Sequence, residues 1–190
     1  MNIKLQTSKK IGIIGLGLIG GSLGLSLQKL GFEVYGVTNK IVTAERAKER
    51  GLADLISTDP KILNICDIVI IALPIDQLLK PDPKLINSLP ANAVITDVGS
   101  VKAPVLKIWQ KLHPNFVPSH PMTGNSNAGV EAGTDNLFQG KPWVCTPNEQ
   151  TNVEAVQVIQ DLAISLGCKW ITADATSHDQ AVAIISHLPV

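Results

Sequence analysis

Two short polar segments of the 190-residue chain carry side chains suited to proton transfer. One segment, D-V-G-S-V-K, contains Ser100, and the other, S-H-P-M-T-G, contains His120. An unperturbed imidazole has a pKa of about 6.5 and can take a proton from an alcohol while a hydride leaves the carbon. A serine hydroxyl can hydrogen-bond to that ring and fix its orientation. A single histidine before a proline can equally be structural, so the segments alone leave both interpretations open.

A glycine-rich segment carries a second kind of chemistry, the binding of phosphate groups. It reads G-L-G-L-I-G and matches the pattern G-x-G-x-x-G. It follows an apolar run and opens a helical one, so its three glycines can make the tight turn, admit a pyrophosphate and let helix pack on strand. Residues 11–38 are therefore predicted to hold the pyrophosphate of a nicotinamide dinucleotide at a helix N-terminus. The candidate residues are Gly15, Gly17, Leu18, Ile19 and Gly20.

The end of the second predicted strand indicates which dinucleotide is bound. A chain that prefers NAD usually has Asp or Glu there, which accepts a hydrogen bond from the ribose 2′-hydroxyl. This chain has Thr38, Asn39 and Lys40 instead. A hydroxyl, an amide and an ammonium can all donate to a 2′-phosphate, which a carboxylate would repel. We therefore expect NADP, with NAD less favoured, although Lys40 alone would also fit an ordinary surface charge.

The turn A-L-P-I-D-Q adds further candidates, because ligands of open α/β sheets lie beyond the carboxyl ends of the strands. It follows a clear strand and places Leu73, Pro74 and Gln77 beside the cofactor, although an ordinary proline turn would have the same composition. Ser100 and His120 follow the next two strands and are expected to open into the same crevice.

Two more histidines lie near the end of the chain, His178 and His187. At about 100° per residue they do not share one face of a straight helix, so they are poor ligands for one metal, and no metal site is predicted. We expect His178 to be a packing or capping residue and His187 to point at the crevice.

Short β-branched runs alternate with segments of helical period, as in a parallel sheet covered by helices on both faces. The predicted strands are 11–14, 33–37, 68–72, 93–97, 116–118, 143–146 and 169–172. The predicted helices are 17–30, 43–50, 76–89, 101–112, 152–166 and 174–187, with Pro81 and Pro83 delaying or interrupting the third, and 119–133 is a long loop. This is a Rossmann-type, doubly wound α/β fold with a mostly parallel sheet over 1–173, and residues 174–190 start a helical extension.

The composition argues against several classes of partner. Sixteen basic residues balance sixteen acidic ones without a long charge run, so a small molecule fits better than nucleic acid or a membrane surface. The apolar run after Lys10 is too rich in glycine for a spanning helix, and no small-residue cleavage site follows it. Three widely spaced cysteines, Cys66, Cys145 and Cys168, are expected to be buried thiols in a reducing, cytoplasmic setting.

Four segments, in order along nearly the whole chain, resemble the arogenate/prephenate dehydrogenase family of tyrosine biosynthesis. They read I-G-I-I-G-L-G-L-I-G-G-S-L at 11–23, T-D-V-G-S-V-K at 96–102, S-H-P-M-T-G at 119–124 with N-L-F following, and H-D-Q-A-V-A-I-I-S-H-L-P at 178–189. The last three are much more specific than the glycine loop. The resemblance favours a functional role for His120.

The resemblance implies the oxidative decarboxylation of a cyclohexadienyl substrate with NAD(P), which yields an aromatic ring. His120 matches the histidine that accepts the hydroxyl proton, and Ser100 matches its serine partner, which also contacts substrate. His187 matches a substrate-side position, whereas His178 stays structural or supports the site from behind. Thr38, Asn39 and Lys40 resemble the NADP-using, arogenate-preferring members, and the choice between arogenate and prephenate stays open.

Members of this family continue beyond S-H-L-P into a helical domain that forms a homodimer and supplies a substrate-binding arginine, whereas this sequence stops at Val190. We therefore expect NADP binding to survive better than turnover in the 190-residue chain, whose own oligomeric state stays open. Two alternatives remain. One is an NADP-binding module with little or no turnover. The other is a dehydrogenase of 3-hydroxy acids, which the S-H-P-M-T-G and H-D-Q segments oppose.

Overall fold

The computed structural model of the protein describes residues 9–124 and 128–187, with side chains as far as residue 184. Strands and helices alternate along most of these ranges. The described strands are β1 (Lys10–Ile14), β2 (Glu33–Val37), β3 (Leu55–Ser57), β4 (Ile68–Ile71), β5 (Val94–Asp97), β6 (Phe116–Val117), β7 (Ser119–Pro121), β8 (Pro142–Cys145) and β9 (Lys169–Thr172). The described α-helices are α1 (Leu18–Lys29), α2 (Ile41–Glu49), α3 (Ile75–Leu79), α4 (Pro83–Ile86), α5 (Ala103–Trp109), α6 (Val153–Ser165) and α7 (Ala175–His187).

The main sheet has six parallel strands in the order β3-β2-β1-β4-β5-β6. This order is the one typical of dinucleotide-binding doubly wound folds. The central strand β1 pairs on both sides, so that Ile11 lies between Val34 and Ile68. The predicted fold class is therefore confirmed.

Alternate residues of the central strands enter two hydrophobic clusters, one on each face of the sheet. In β4, Ile68 and Ile70 belong to one cluster, whereas Val69 and Ile71 belong to the other. This alternation is the period of two of a strand buried on both faces. The first cluster takes Leu23 and Leu27 from α1 and Ile159 and Leu162 from α6, and the second takes Leu78 from α3 and Val105 and Trp109 from α5.

The strands after β6 form a second sheet, which corrects the expectation of one mostly parallel sheet. Its order is β7-β8-β9, with β7 antiparallel to β8 and β8 parallel to β9. The main sheet stops at Val117 because Pro118 has no N–H with which to continue the ladder. The chain then re-pairs as β7, inside the segment predicted to be a loop.

The prolines around residue 82 interrupt the third predicted helix, as expected. α3 ends at Leu79, before Pro81, and α4 starts at Pro83, where Asp82 caps it by accepting from the Lys84 N–H at 2.8 Å. Strand β3 and a 3₁₀ helix at Pro60–Ile65 lie in a segment for which the sequence predicted neither.

A fully buried ion pair between Asp97 and Lys102 joins the two sheets. Asp97 is the last residue of β5, and its carboxylate also accepts from the N–H groups of Gly99, at 2.9 Å, and Ser119, at 3.3 Å. The Lys102 ammonium donates to the Ser119 carbonyl at 2.7 Å. Burial lowers the pKa of Lys102, and the Asp97 carboxylate opposes that shift. The pair therefore fixes the start of β7 to the end of β5.

Within the described ranges, no helix is both long and apolar enough to cross a membrane. Cys66, Cys145 and Cys168 are buried and free, as predicted. Burial raises the pKa of each thiol to about 12.

We expect Lys102→Met to lower the free energy of unfolding by about 3–5 kcal/mol, because it leaves the Asp97 carboxylate buried without its counter-charge. Urea denaturation followed by circular dichroism measures the loss. The matched control is Lys107→Met, on the exposed side of α5, which should change stability by less than about 0.5 kcal/mol. Adding Asp97→Asn to Lys102→Met should recover at least about 1 kcal/mol of the lost free energy of unfolding. Simple additivity of the two losses would contradict the pairing.

Candidate active site

A cleft of about 1230 Å³ runs along the carboxyl ends of the main strands. Its wall is made by the turns after β1, β2, β4 and β5 and by β7. Both groups of residues that the sequence predicted to do chemistry lie in this wall, the glycine loop and the pair Ser100 and His120. The fold therefore places the candidate residues for phosphate binding and those for proton transfer in the wall of one cleft.

The structure constrains the three glycines of the loop differently. Gly15 has a φ of +90°, and a Cβ there would lie 2.4 Å from the Ala72 carbonyl oxygen. A Cβ on Gly20 would lie 1.8 Å from the Gly15 carbonyl oxygen. A Cβ on Gly17 would meet nothing within 4 Å. The fold itself thus requires Gly15 and Gly20, whereas the space beside Gly17 is open for a ligand.

The loop fits the pyrophosphate of a dinucleotide. Gly17 is the N-cap of α1 and has no side chain to cap the helix, and no acidic residue lies in the first turn. The N–H groups at Leu18 and Ile19 therefore border the cleft without a capping acceptor. Such uncapped N–H groups and the helix dipole attract phosphate.

The residues after β2 divide into those in the cleft wall and one outside it. Thr38 and Asn39 line the cleft, as do Thr43 and Thr58, which the sequence did not single out. Thr38 is buried and its hydroxyl donates to the Lys40 carbonyl at 3.1 Å, so it shapes the turn and does not have that hydrogen free for a phosphate. Lys40 is exposed and is not among the residues that line the cleft, so its contact with the cofactor remains a prediction.

The turn after β4 lies where the sequence predicts it. Leu73, Pro74 and Gln77 line the cleft between the glycine loop and the turn after β5. Their contact with the cofactor remains a prediction.

The loop after β7 forms the opposite wall and is fixed to α1 and α2. Ala128, Gly129 and Val130 line the cleft. Arg50 donates to the Gly133 carbonyl at 2.9 Å, and Ser22 Oγ accepts from the Thr134 N–H at 2.9 Å. These hydrogen bonds hold the loop against α1, the helix that follows the glycine loop.

His120 and Ser100 both line the cleft, but the predicted hydrogen bond between them is not the one that the structure forms. Among the described residues, the hydrogen-bond partner of the His120 ring is His178, with 3.0 Å between His120 Nδ1 and His178 Nε2. The reason is the placement of α7, which brings the buried His178 edge-on to His120 with 5.2 Å between ring centroids. Ser100 remains an exposed hydroxyl in the same wall.

His178 in turn contacts Asp179, with 2.9 Å between His178 Nδ1 and Asp179 Oδ1. The Asp179 carboxylate also accepts from the backbone N–H groups of Lys102, at 2.6 Å, and Ala103, at 2.9 Å. A chain of hydrogen bonds therefore runs from the start of α5 through α7 to the ring of His120.

Burial, the Lys102 ammonium and His178 together lower the pKa of His120 to about 3, whereas Asp179 opposes the shift. The His120 ring is therefore neutral at physiological pH, with a lone pair on the ring nitrogen that carries no hydrogen. A smaller cleft of about 400 Å³ adjoins Ser100 and His120 and is bordered by Met122, Lys141 and Val182. The side chain of His187 lies outside the described part of the chain.

The sequence analysis missed the roles of the H-D pair in α7 and of Lys102. His178 was predicted to be structural or to support the site from behind, whereas Asp179 and Lys102 were not singled out. Two features of the sequence could have indicated these residues. One is the acidic residue that follows a histidine in the last predicted helix, and the other is the lysine five residues after the aspartate at the end of a predicted strand.

The fold and the cleft define a dinucleotide-binding α/β domain of the kind found in nicotinamide-dependent dehydrogenases. Residues 23–172 match the family model described as "Prephenate dehydrogenase, nucleotide-binding domain". The chain belongs to this family, which confirms the resemblance drawn from the sequence.

Three relatives show how far the likeness extends. Cyclohexadienyl dehydrogenase of Zymomonas mobilis subsp. mobilis is 32% identical over 188 residues, which cover 95% of this chain and 64% of the relative. Arogenate dehydrogenase of Synechocystis is 39% identical with a TM-score of 0.89, covering 95% and 65%. Prephenate dehydrogenase of A. aeolicus, in complex with hydroxyphenyl propionate and NAD+, is 27% identical with a TM-score of 0.89, covering 96% and 65%. The chain thus spans slightly less than two thirds of each.

We expect Gly17→Ala to weaken NADPH binding at least tenfold while changing stability by less than about 1 kcal/mol, because its methyl group would occupy only ligand space. Gly15→Ala is the matched comparison and should destabilise the fold by more than about 2 kcal/mol, since it combines positive φ with a backbone clash. Fluorescence titration and thermal unfolding measure the two effects. Equal loss of stability in both variants would contradict the assignment of Gly17 to the ligand.

Proposed function

We propose that the protein uses NADP to decarboxylate a cyclohexadienyl alcohol oxidatively, converting arogenate to tyrosine or prephenate to 4-hydroxyphenylpyruvate. The observation that carries the proposal is the position of His120, a neutral imidazole in the wall of the cleft that begins at the glycine loop. The family match and the names of the relatives support the substrate class. They favour it over the 3-hydroxy acid alternative.

The chain's own residues would divide the work along the cleft. The N–H groups at the start of α1 hold the pyrophosphate, and the turn at Leu73 and Pro74 supports the middle of the dinucleotide. When bound, the nicotinamide supplies the hydride acceptor. Ser100 and His120 then lie on the substrate side of the cleft, next to the smaller pocket.

His120 would supply the acid–base chemistry. Its ring takes the proton of the substrate hydroxyl as the hydride leaves the same carbon, which becomes a carbonyl carbon. The bond between the ring and its carboxyl group then breaks, carbon dioxide leaves, and the bonding electrons complete the aromatic ring, whose phenol regains a proton. Because aromatisation favours the products, the protein's main tasks are to orient the reactants and to accept this proton.

The preference for NADP rests on the turn between β2 and α2. No carboxylate stands at residues 38–40, and Asn39 is exposed in the cleft wall with an amide that can donate. The N-cap of α2 is Lys40, which makes no capping hydrogen bond, so the first N–H groups of the helix can also face a 2′-phosphate. Lys40 would add charge from outside the wall.

The proposal is tested by following NADPH formation with the chain in molar excess over substrate, so that slow turnover is visible. We expect arogenate or prephenate to reduce NADP, and His120→Asn to lower the rate at least about 100-fold because the general base is lost. Reduction driven equally well by a 3-hydroxy acid would contradict the substrate class.

The cofactor arm of the same experiment uses Asn39→Asp, with Asn64→Asp as the matched control on the exposed face of the 3₁₀ helix. The new carboxylate at residue 39 should repel a 2′-phosphate and weaken NADPH binding at least tenfold while leaving NADH binding within about threefold. The control should change neither. Tighter binding of NADH than NADPH by the unaltered chain would overturn the choice of NADP.

A further inference from the structure

The hydrogen bonds that link His120, His178 and Asp179 are donated in one direction along the series. That direction determines which ring nitrogen of His120 carries no hydrogen. We propose that His178 and Asp179 are positioning residues that hold His120 in the tautomer with its hydrogen on Nδ1, which leaves Nε2 bare and able to accept a proton. The catalytic use of this tautomer rests on the proposed function. The tautomer itself follows from the hydrogen bonds and can be measured without turnover.

The direction starts at Asp179. Its carboxylate accepts from the backbone N–H groups of Lys102 and Ala103, at 2.6 and 2.9 Å, and these groups can only donate. An ionised carboxylate has no hydrogen to give, so the 2.9 Å contact with His178 is a bond donated by His178 Nδ1. Asp179 thus fixes the hydrogen of His178 on Nδ1.

The next step passes to His120. A neutral imidazole with its hydrogen on Nδ1 has a lone pair on Nε2, so His178 Nε2 is an acceptor. The atom 3.0 Å from it is His120 Nδ1, which must therefore donate. The remaining nitrogen of His120, Nε2, carries no hydrogen. A free imidazole in water prefers the opposite tautomer, with the hydrogen on Nε2, so the protein has to impose this one.

Asp179 also offsets part of the cost of charging His120 when the ring takes a proton. Once Nε2 of His120 takes a proton the ring is cationic, and burial and the Lys102 ammonium both oppose that charge. Asp179 is the group that favours it, and His178 connects the two by hydrogen bonds. A carboxylate that orients a catalytic imidazole and stabilises its charged form can contribute a large rate factor.

The competing possibility is that these hydrogen bonds are donated in the reverse direction. A doubly protonated His178 would donate from Nε2 to His120 Nδ1 and place the hydrogen of His120 on Nε2, which would then be unable to accept a proton. The two directions give opposite tautomers of His120, so one spectrum distinguishes them.

The test is nitrogen-15 NMR of the whole chain labelled at its four histidines, whose ring signals are assigned with His113→Asn and His187→Asn. We expect His120 near pH 7.5 to carry its hydrogen on Nδ1. His178→Leu removes the acceptor and should move most of the His120 population to the Nε2–H form. His178→Gln is the matched control, because its amide oxygen can still accept from His120 Nδ1.

A hydrogen on Nε2 of His120 in the unaltered chain, or an unchanged tautomer in His178→Leu, would overturn the proposal. NADPH binding should stay within about threefold in both variants, because His178 is not among the residues that line the cleft, and this checks that they fold. In the turnover assay, His178→Leu should lower kcat at least tenfold with KM for NADP unchanged, and His178→Gln should recover most of it. Absence of turnover in every variant would count against the proposed function, whereas the NMR result judges the tautomer alone.

Discussion

The buried ion pair between Asp97 and Lys102 is the interaction on which the geometry of the site depends. It ties the last residue of the strand before Ser100 to the first residue of the strand that carries His120. The main sheet ends at Val117, so the ladder between β5 and β6 does not extend to Ser119. Two charges taken out of water cost several kcal/mol each, and here three further hydrogen bonds offset that cost. The pair therefore specifies one arrangement of the two sheets.

The cleft combines two independent physical devices. At one end, the uncapped start of α1 and the open space beside Gly17 offer backbone N–H groups to an anion. At the other end, α7 places His178 and Asp179 behind His120. The Asp179 carboxylate accepts from the backbone N–H of Lys102 at the start of α5. The ion pair and the hydrogen bonds to Asp179 thus meet at Lys102, whose ammonium contacts Asp97 and Ser119 and whose backbone N–H donates to Asp179.

Local patterns predicted the parts of this molecule that depend on local physics. The glycine loop, the strands β1, β2, β4 and β5, and the helix break near Pro81 all follow from periodicity and backbone restrictions. The second sheet and the partner of His120 did not follow, because they depend on contacts between residues far apart in sequence. His120 and His178 are 58 positions apart. Ser100 was a reasonable partner by spacing along the sheet edge. Only the packing of α7 shows that His178 occupies that place.

The central claim is that one dinucleotide extends from the turn after β2 to His120, and NMR footprinting tests it most directly. Two ligands are compared on the labelled chain, NADP and its adenosine half, adenosine 2′,5′-bisphosphate. The account predicts that both shift the backbone signals of Thr38 and Asn39, and that NADP alone also shifts those of Ser100 and His120. An unchanged His120 signal in saturating NADP would contradict it.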